Sequence, residues 1–292
     1  MLCSARPFQP PRPTPHERMH LTTEGEQERR ASTRESQHGR DLRLSVVVPV
    51  YNETGRMGQR LPELLAYLHA QDYPYEIVVV DDGSTDGTPE LAERLLAGEG
   101  RARVLVQPRN RGKGHALKVG MVAAEGQYVL FTDADLSTPP AELDKFWSWL
   151  EEGYDVVIGS RKMPGANIVK HQSPWRESLG KVFTWLTNHI ATKDISDVTC
   201  GFKCFTQDAA RTLFGLSVID DWSFDAEILF LAQRFRYRIK EVPVTWHDES
   251  GTKVRLWKDA AKSLRGLVRI RMNASRGLYK GGAKRQRATT AQ

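Results

Sequence analysis

Leu44-Ser45-Val46-Val47-Val48-Pro49-Val50-Tyr51-Asn52-Glu53 decides the fold. Its first seven residues are mostly apolar and β-branched with no polar alternation, the pattern of a strand buried on both faces. The run stops at a polar cluster, Tyr51-Asn52-Glu53. A helical stretch follows, with Leu61, Leu64, Leu65 and Leu68 at helical spacing. The same alternation then repeats. Strands are expected at 76–80, 103–106, 128–132 and 155–159, and helices at 112–124 and 142–150. Another helix opens at Thr88-Pro89-Glu90, with Thr88 as N-cap and Pro89 at the first helical position. This β-α repetition predicts an α/β fold built on a mostly parallel, doubly wound sheet.

Ligands of such sheets lie at the carboxyl ends of the strands. Four polar clusters therefore fall on one rim: Tyr51/Asn52/Glu53, Asp81/Asp82, Asp133/Asp135 and Ser160/Arg161. The second half is less regular. Trp175 to Ile190 carries Leu179, Val182, Phe183, Leu186 and Ile190 on one helical face. Residues 224–235 read as a helix and 238–246 as a late strand.

The 292 residues are 40% hydrophobic and 27% charged, an ordinary globular composition. Three cysteines make no disulfide framework, and Cys200 with Cys204 lacks the partners of a zinc site. No stretch approaches the length of an apolar membrane span, and the N-terminus breaks into prolines before a signal-peptide core could form. Residues 1–41, rich in Pro, Arg, Glu, Gln, Ser and Thr, are expected to be a disordered extension, or the product of a mis-assigned start. The main domain is expected over 42–250 and a basic tail over 251–292.

Charge separates the body from that tail. Of the chain's 42 basic and 36 acidic side chains, 251–292 hold twelve and one, so the first 250 residues are mildly acidic. The body is no nucleic-acid binder by charge. The tail suits an anionic surface. Leu256, Ala260, Leu264, Leu267, Ile270, Ala274 and Leu278 recur at three- and four-residue spacing, opposite Lys258, Lys262, Arg265, Arg269, Arg276 and Lys280. An amphipathic helix lying in a membrane interface over 254–280 is expected, against the alternative of a helix packed on the domain with a solvated face.

The rim residues suggest chemistry. Asp133 and Asp135, one residue apart at a strand end, repel unless a cation joins them, and hard carboxylates suit Mg²⁺ or Mn²⁺. The competing reading is a plain turn. Asp82 can accept a uracil imide N–H, Tyr51 can stack on a base and Glu53 can accept ribose hydroxyls. Asn110-Arg111-Gly112-Lys113-Gly114 is no P-loop, since Ser/Thr does not follow Lys113.

Together, residues 46–53, 80–88 and the Asp133-Ala134-Asp135 motif resemble glycosyltransferase family 2 in the Rossmann-like GT-A fold, over about residues 42–260. Gly112-Lys113-Gly114, Leu136-Ser137-Thr138-Pro139, Gly159-Ser160-Arg161, residues 197–203 and Trp222-Ser223-Phe224-Asp225-Ala226-Glu227 are most similar to its dolichyl- and polyprenyl-phosphate β-glucosyltransferase branch. The resemblance implies an inverting transfer of a hexose, glucose from UDP-glucose, to a polyprenyl or dolichyl phosphate at the cytoplasmic face of a membrane. It implies nucleotide contacts from Pro49, Tyr51, Glu53, Val80, Asp82, Lys113, Asp133 and Ala134. Asp133 and Asp135 would hold Mg²⁺ or Mn²⁺ and the diphosphate, Arg161, Lys203 and Lys253 would face phosphates, and Asp225 and Asp135 are the catalytic candidates.

Two departures from the related mannosyltransferase pattern favour a glucose-type donor. Ser137 stands where that pattern often has glutamine, and the arginine before its Gly-x-Ser-Lys-like segment has no counterpart in residues 247–253. A GDP-mannose-dependent enzyme, a transferase to a small alcohol and a non-catalytic nucleotide-sugar binder are the alternatives. Gln233-Arg234-Phe235-Arg236-Tyr237 approaches the Gln-x-x-Arg-Trp motif of processive synthases, but reads as a helix end.

Overall fold

The computed structural model describes residues 42–169, 182, 184–247 and 256–280, with side chains from 264 onward in the last segment. The expected extension over 1–41, Lys253, and the helix start at Trp175 lie outside the described residues.

The chain alternates strand and helix as its pattern predicts: β1 (Leu44–Val50), α1 (Thr54–His69), β2 (Tyr75–Asp81), α2 (Thr88–Leu95), β3 (Ala102–Val106), α3 (Lys113–Ala123) and β4 (Tyr128–Thr132). A 3₁₀ segment (Pro140–Lys145), α4 (Trp147–Glu151), β5 (Val156–Ser160) and β6 (Asn167–Ile168) come next. The described chain ends with β7 (Phe202–Thr206), α5 (Gln207–Leu216), α6 (Phe224–Arg234), β8 (Ile239–Pro243), β9 (Thr245–Trp246) and α7 (Leu256–Ser275).

Seven strands form one sheet in the order β3-β2-β1-β4-β7-β5-β8. All run parallel except β7, which is antiparallel to both β4 and β5. The chain winds outward through β1, β2 and β3, then returns to the other side of β1 with β4. That reversal opens a crevice between the ends of β1 and β4, the place where doubly wound sheets bind ligands.

Strand alternation divides the core into two layers. Val47, Val78, Val80, Phe131 and Phe205 face α3, α5, α6 and α7. Val46, Val48, Ile77, Val79, Leu130 and Phe202 face α1, α2 and the 3₁₀ segment. Cys200 and Cys204 are buried free thiols in the second layer, with Cys200 pushed up to about 11 by burial.

Several sequence expectations change. β7 is an addition to the expected strands, because residues 197–203 read as a motif and not as the start of a strand. The expected helix over 142–150 divides into the 3₁₀ segment and α4, since i→i+3 winding puts Leu143 and Phe146 on one face, both fully buried. The late strand breaks at Val244, whose N–H turns to Ser160 O while β9 pairs with β6. The N-cap of α2 is Gly87 at φ +82, not Thr88. Thr88 lies inside the helix and is fully buried. Its hydroxyl donates to Asp86 and accepts the Glu53 N–H, tying two loops together.

The apolar stripe expected for the tail is also divided. Leu267 and Ile270 enter the core, where domain packing claims them, and Ala274 packs partly against it. Leu264 and Leu278 stay exposed, joined by Val268 and Met272. Among the described residues no helix is long and apolar enough to cross a membrane.

Candidate active site

The loops after β1 and β2 are laced together. Asn52, held at φ +52, donates its backbone N–H to Ser84 Oγ and accepts the Thr85 N–H at 2.9 Å. Asp81 accepts the Ser84 N–H, and Asp86 accepts both groups of Thr54. Within Asp81-Asp82-Gly83-Ser84-Thr85-Asp86-Gly87-Thr88, then, most side chains build the turn. Asp82 is the one that turns to the crevice. Its Oδ1 accepts the Arg111 N–H at 3.0 Å and its Oδ2 the Gly112 N–H at 2.7 Å, fixing the start of α3 across the opening. Gly112 takes φ +111 there, a conformation that glycine adopts without a Cβ clash.

On the other wall, β4 delivers Asp133-Ala134-Asp135. Asp135 Oδ1 accepts the Ser137 N–H at 3.0 Å. Leu136 is forced to φ +49, at a cost of about 1 kcal/mol or more, and burial of its side chain among α1 residues offsets this. Gly201, just before β7, faces the Asp133 carboxylate so closely that a Cβ would collide with it. The Lys113 ammonium reaches over from α3 and pairs with Asp133 Oδ1, lying 5.4 Å from the Trp222 ring.

These elements enclose one cleft of about 320 Å³. Pro49, Tyr51, Glu53, Asp82, Lys113, Asp133, Ala134 and Asp135 all line it, so eight of the expected nucleotide and metal residues share a single cavity. Such a volume lies in the range of ligand pockets. Glu53 is held by Arg56 through two charge-assisted bonds of 2.8 and 3.0 Å.

Other expected residues do not open on the cleft. Val80 is fully buried against α3 in the core, because its strand alternation points it away from the opening. Arg161 clamps Asp197 through Nε at 2.7 Å and Nη2 at 2.9 Å, and lies over Trp246. Asp197 is completely out of water. Burial would raise its pKa, but the Arg161 charge and hydrogen bonds outweigh it and hold the carboxyl well below the usual range. Lys203 is 1% exposed and donates to Asp225 Oδ1 and Cys200 O, each at 2.5 Å. Asp225, in the first turn of α6, is pushed up by burial against the pull of Lys203 and Lys113. Burial pulls Lys113 down, but Asp133 and Asp225 overcome it and leave its pKa raised.

Sequence reasoning passed over Arg56, Asn110, Gly112, Ala116 and Trp222 as lining residues. Trp222 belonged to a recognised motif, and its indole is largely exposed at the cleft mouth. Loop 219–222 reaches the site because Glu227, wholly buried, accepts the N–H groups of Val218 and Ile219.

Asp133 and Asp135 fit a hard divalent cation. They are adjacent carboxylates, Gly201 leaves Asp133 room, and an ammonium already answers its demand for positive charge. Among the described residues no group of three or more His, Cys, Asp or Glu could hold a metal. The remaining ligands would come from water and an anionic substrate, as is usual for Mg²⁺.

The sequence pattern described as Glycosyl transferase family 2 matches residues 45–214. The chain belongs to this family. This glycosyltransferase is 33% identical to a dolichyl-phosphate beta-glucosyltransferase of Dictyostelium discoideum, over 88% of this chain and 83% of that one. It is 35% identical to that of Saccharomyces cerevisiae, over 86% and 80%. It is also 35% identical to that of Homo sapiens, over 72% and 69%. Its GT-A fold is shared with a glucosyl-3-phosphoglycerate synthase of Mycobacterium tuberculosis bound to Mn²⁺, UDP and glucosyl-3-phosphoglycerate. The TM-score there is 0.56 at 21% identity, covering 80% of each chain. A mannosyltransferase of Pyrobaculum calidifontis in complex with GDP-Man and Mn²⁺ superimposes with a TM-score of 0.52 at 25% identity. That match covers 82% of this glycosyltransferase and 65% of the other chain.

Proposed function

We propose that this glycosyltransferase moves glucose from UDP-glucose to a dolichyl or polyprenyl phosphate at a membrane surface, with inversion at the anomeric carbon. The observation that carries the reading is the single cleft on which Tyr51, Asp82, Asp133 and Asp135 all open. The acceptor class is taken from the shared name of the relatives.

In this reading Tyr51 stacks on the base and Glu53, steadied by Arg56, takes the ribose hydroxyls. Each Asp82 oxygen already accepts one loop N–H, and each retains a lone pair for a uracil imide N–H. Asp133 and Asp135 would hold Mg²⁺ or Mn²⁺ with the diphosphate, and such an ion would supply positive charge to offset that of the leaving group. The reacting carbon becomes oxocarbenium-like, as in other glycosyl transfers. A phosphate monoester is largely dianionic near neutral pH, so no side chain has to remove a proton from the acceptor. The burial of Asp225 under Lys203 agrees with a carboxylate that sets the field around Lys113 and not with a base open to the acceptor. Arg161 and Lys203 are committed to aspartates, which leaves Lys253 as the proposed phosphate ligand.

The tail supports a lipid surface. Leu264, Val268 and Met272, four residues apart on α7, are each more than two-fifths exposed. Val182 and Trp185 are more exposed still, and Arg271 bonds α7 to Ile190 at the end of their helical segment. Arg265, Arg269, Arg276 and Lys280 are exposed around them. Apolar side chains beside one-sided positive charge suit the cytoplasmic face of an anionic membrane.

Transfer of mannose from GDP-mannose is the second reading, favoured by the 25% identity to the GDP-Man-bound mannosyltransferase. A panel of UDP-glucose, UDP-galactose, UDP-N-acetylglucosamine and GDP-mannose, with polyprenyl phosphate and Mg²⁺ or Mn²⁺, tests both. Glucose transfer is expected. Faster mannose transfer selects the second reading, and no product from any donor overturns both.

A further inference from the structure

We infer that Lys113 occupies the cation seat on Asp133 in the donor-free enzyme, so that the divalent ion binds well only together with the nucleotide diphosphate. The inference rests on the donor site proposed above.

Asp133, Asp135 and Asp225 all act on Lys113. Lys203 cancels Asp225 and Arg161 cancels Asp197, so Asp133 and Asp135 against Lys113 leave one negative charge in excess. Lys203 is fixed by Asp225 and Cys200 O, so it cannot serve Asp133. Lys113 does serve it, and its side chain is only 16% exposed. Where it sits, water does little to solvate the ammonium, so the Asp133 carboxylate is its main counter-charge.

Two events are unfavourable alone. A dication arriving by itself would push the buried ammonium off Asp133 and leave it beside a second positive charge. Of the other acids that act on Lys113, Asp225 already holds Lys203, and Asp135 would be taken by the ion itself. A diphosphate arriving by itself would bring further negative charge to a cluster already in excess. Arriving together they cancel: the ion takes Asp133 and Asp135, and the diphosphate gives Lys113 a new anionic partner. The coupling must be reciprocal, so the ion strengthens the nucleotide as much as the nucleotide strengthens the ion.

The Trp222 and Phe224 rings, 5.4 and 5.8 Å from Nζ, flank the ammonium. They favour a cation that stays near the cleft.

The test is Mn²⁺ binding to the full-length protein, read by electron paramagnetic resonance of the free ion, with and without UDP. Wild type should bind Mn²⁺ weakly alone and about tenfold or more tightly with UDP, a typical coupling. Lys113→Met should bind Mn²⁺ alone about tenfold more tightly than wild type, and most of the UDP enhancement should disappear. Lys113→Arg, which keeps the charge, should resemble wild type. Circular dichroism melts confirm that each variant is folded. Unchanged or weaker Mn²⁺ binding by Lys113→Met without UDP, alongside UDP-dependent binding by wild type, overturns this inference alone. No Mn²⁺ binding by wild type even with UDP overturns both the inference and the donor site beneath it.

Discussion

Lys203, the second residue of β7, donates to Asp225 at the start of α6 across 2.5 Å, and their side chains are 1% and 7% exposed. Removing one partner of such a pair strands the other charge, at a cost of about 3–5 kcal/mol. Lys203→Met should lower unfolding stability by that order in urea titrations. The double variant Lys203→Met/Asp225→Leu should recover much of it, since no charge is left unpaired. Recovery of stability without recovery of turnover would separate the structural role of Asp225 from its electrostatic one.

Asp225→Asn addresses the reaction directly. With a dianionic phosphate acceptor, turnover should fall by less than about a hundredfold, the low end of a general-base contribution. Initial rates with UDP-glucose at saturating acceptor measure this. A larger loss with unchanged donor binding would make Asp225 the base.

Gly201 leaves no space for a side chain beside Asp133. Gly201→Ala should displace that carboxylate and reduce kcat/KM about tenfold or more, a loss of about 1.4 kcal/mol in transition-state binding. Steady-state kinetics across Mn²⁺ concentrations should show a weakened metal requirement curve. Unfolding stability should change far less than in Lys203→Met.

Arg161 and Asp197 give a pH signature. The folded-state pKa of Asp197 is depressed below its ordinary 3.8. The stability it contributes is complete above that value and is lost as pH falls through the depressed one. Asp197→Asn should cost about 3 kcal/mol at neutral pH, since it leaves the clamped Arg161 without its counter-ion. Denaturant titrations should find the same gap at pH 7 and pH 5 and a narrowing gap below pH 3.8.

Membrane docking separates the two sides of α7. Leu264→Glu/Val268→Glu/Met272→Glu should abolish most co-sedimentation with anionic vesicles and leave the fold intact. Leu267→Ala, on the buried side, should instead destabilise by about 2–5 kcal/mol. Equal vesicle binding by the triple variant would remove α7 as the docking surface. Binding only in the presence of nucleic acid would do the same.

Much of this was legible from local pattern. The two-sided apolar runs of β1, β2 and β4 and the turn chemistry after them sufficed for the parallel half of the sheet. The crevice rule then brought Asp82 and Asp133 together although 51 positions separate them. The motif residues were less separable. Asp81, Ser84, Asp86 and Thr88 stand beside Asp82 in sequence, yet they stitch loops while Asp82 faces the cleft. Only the backbone path decides which of five neighbouring polar side chains points where.

Sequence alone determined the strand-helix order from β1 to β4, the rim on which the acidic clusters fall and the separation of a basic tail from an acidic body, because these follow from periodicity and composition along the chain. Tertiary structure decided the rest. It placed antiparallel β7 between β4 and β5, turned Arg161 and Lys203 from expected phosphate ligands into partners of buried aspartates, and put Lys113 on Asp133. A charged side chain goes to whichever opposite charge desolvation leaves most in need. Which charges are desolvated depends on packing between distant segments, and no local stretch of sequence contains that information.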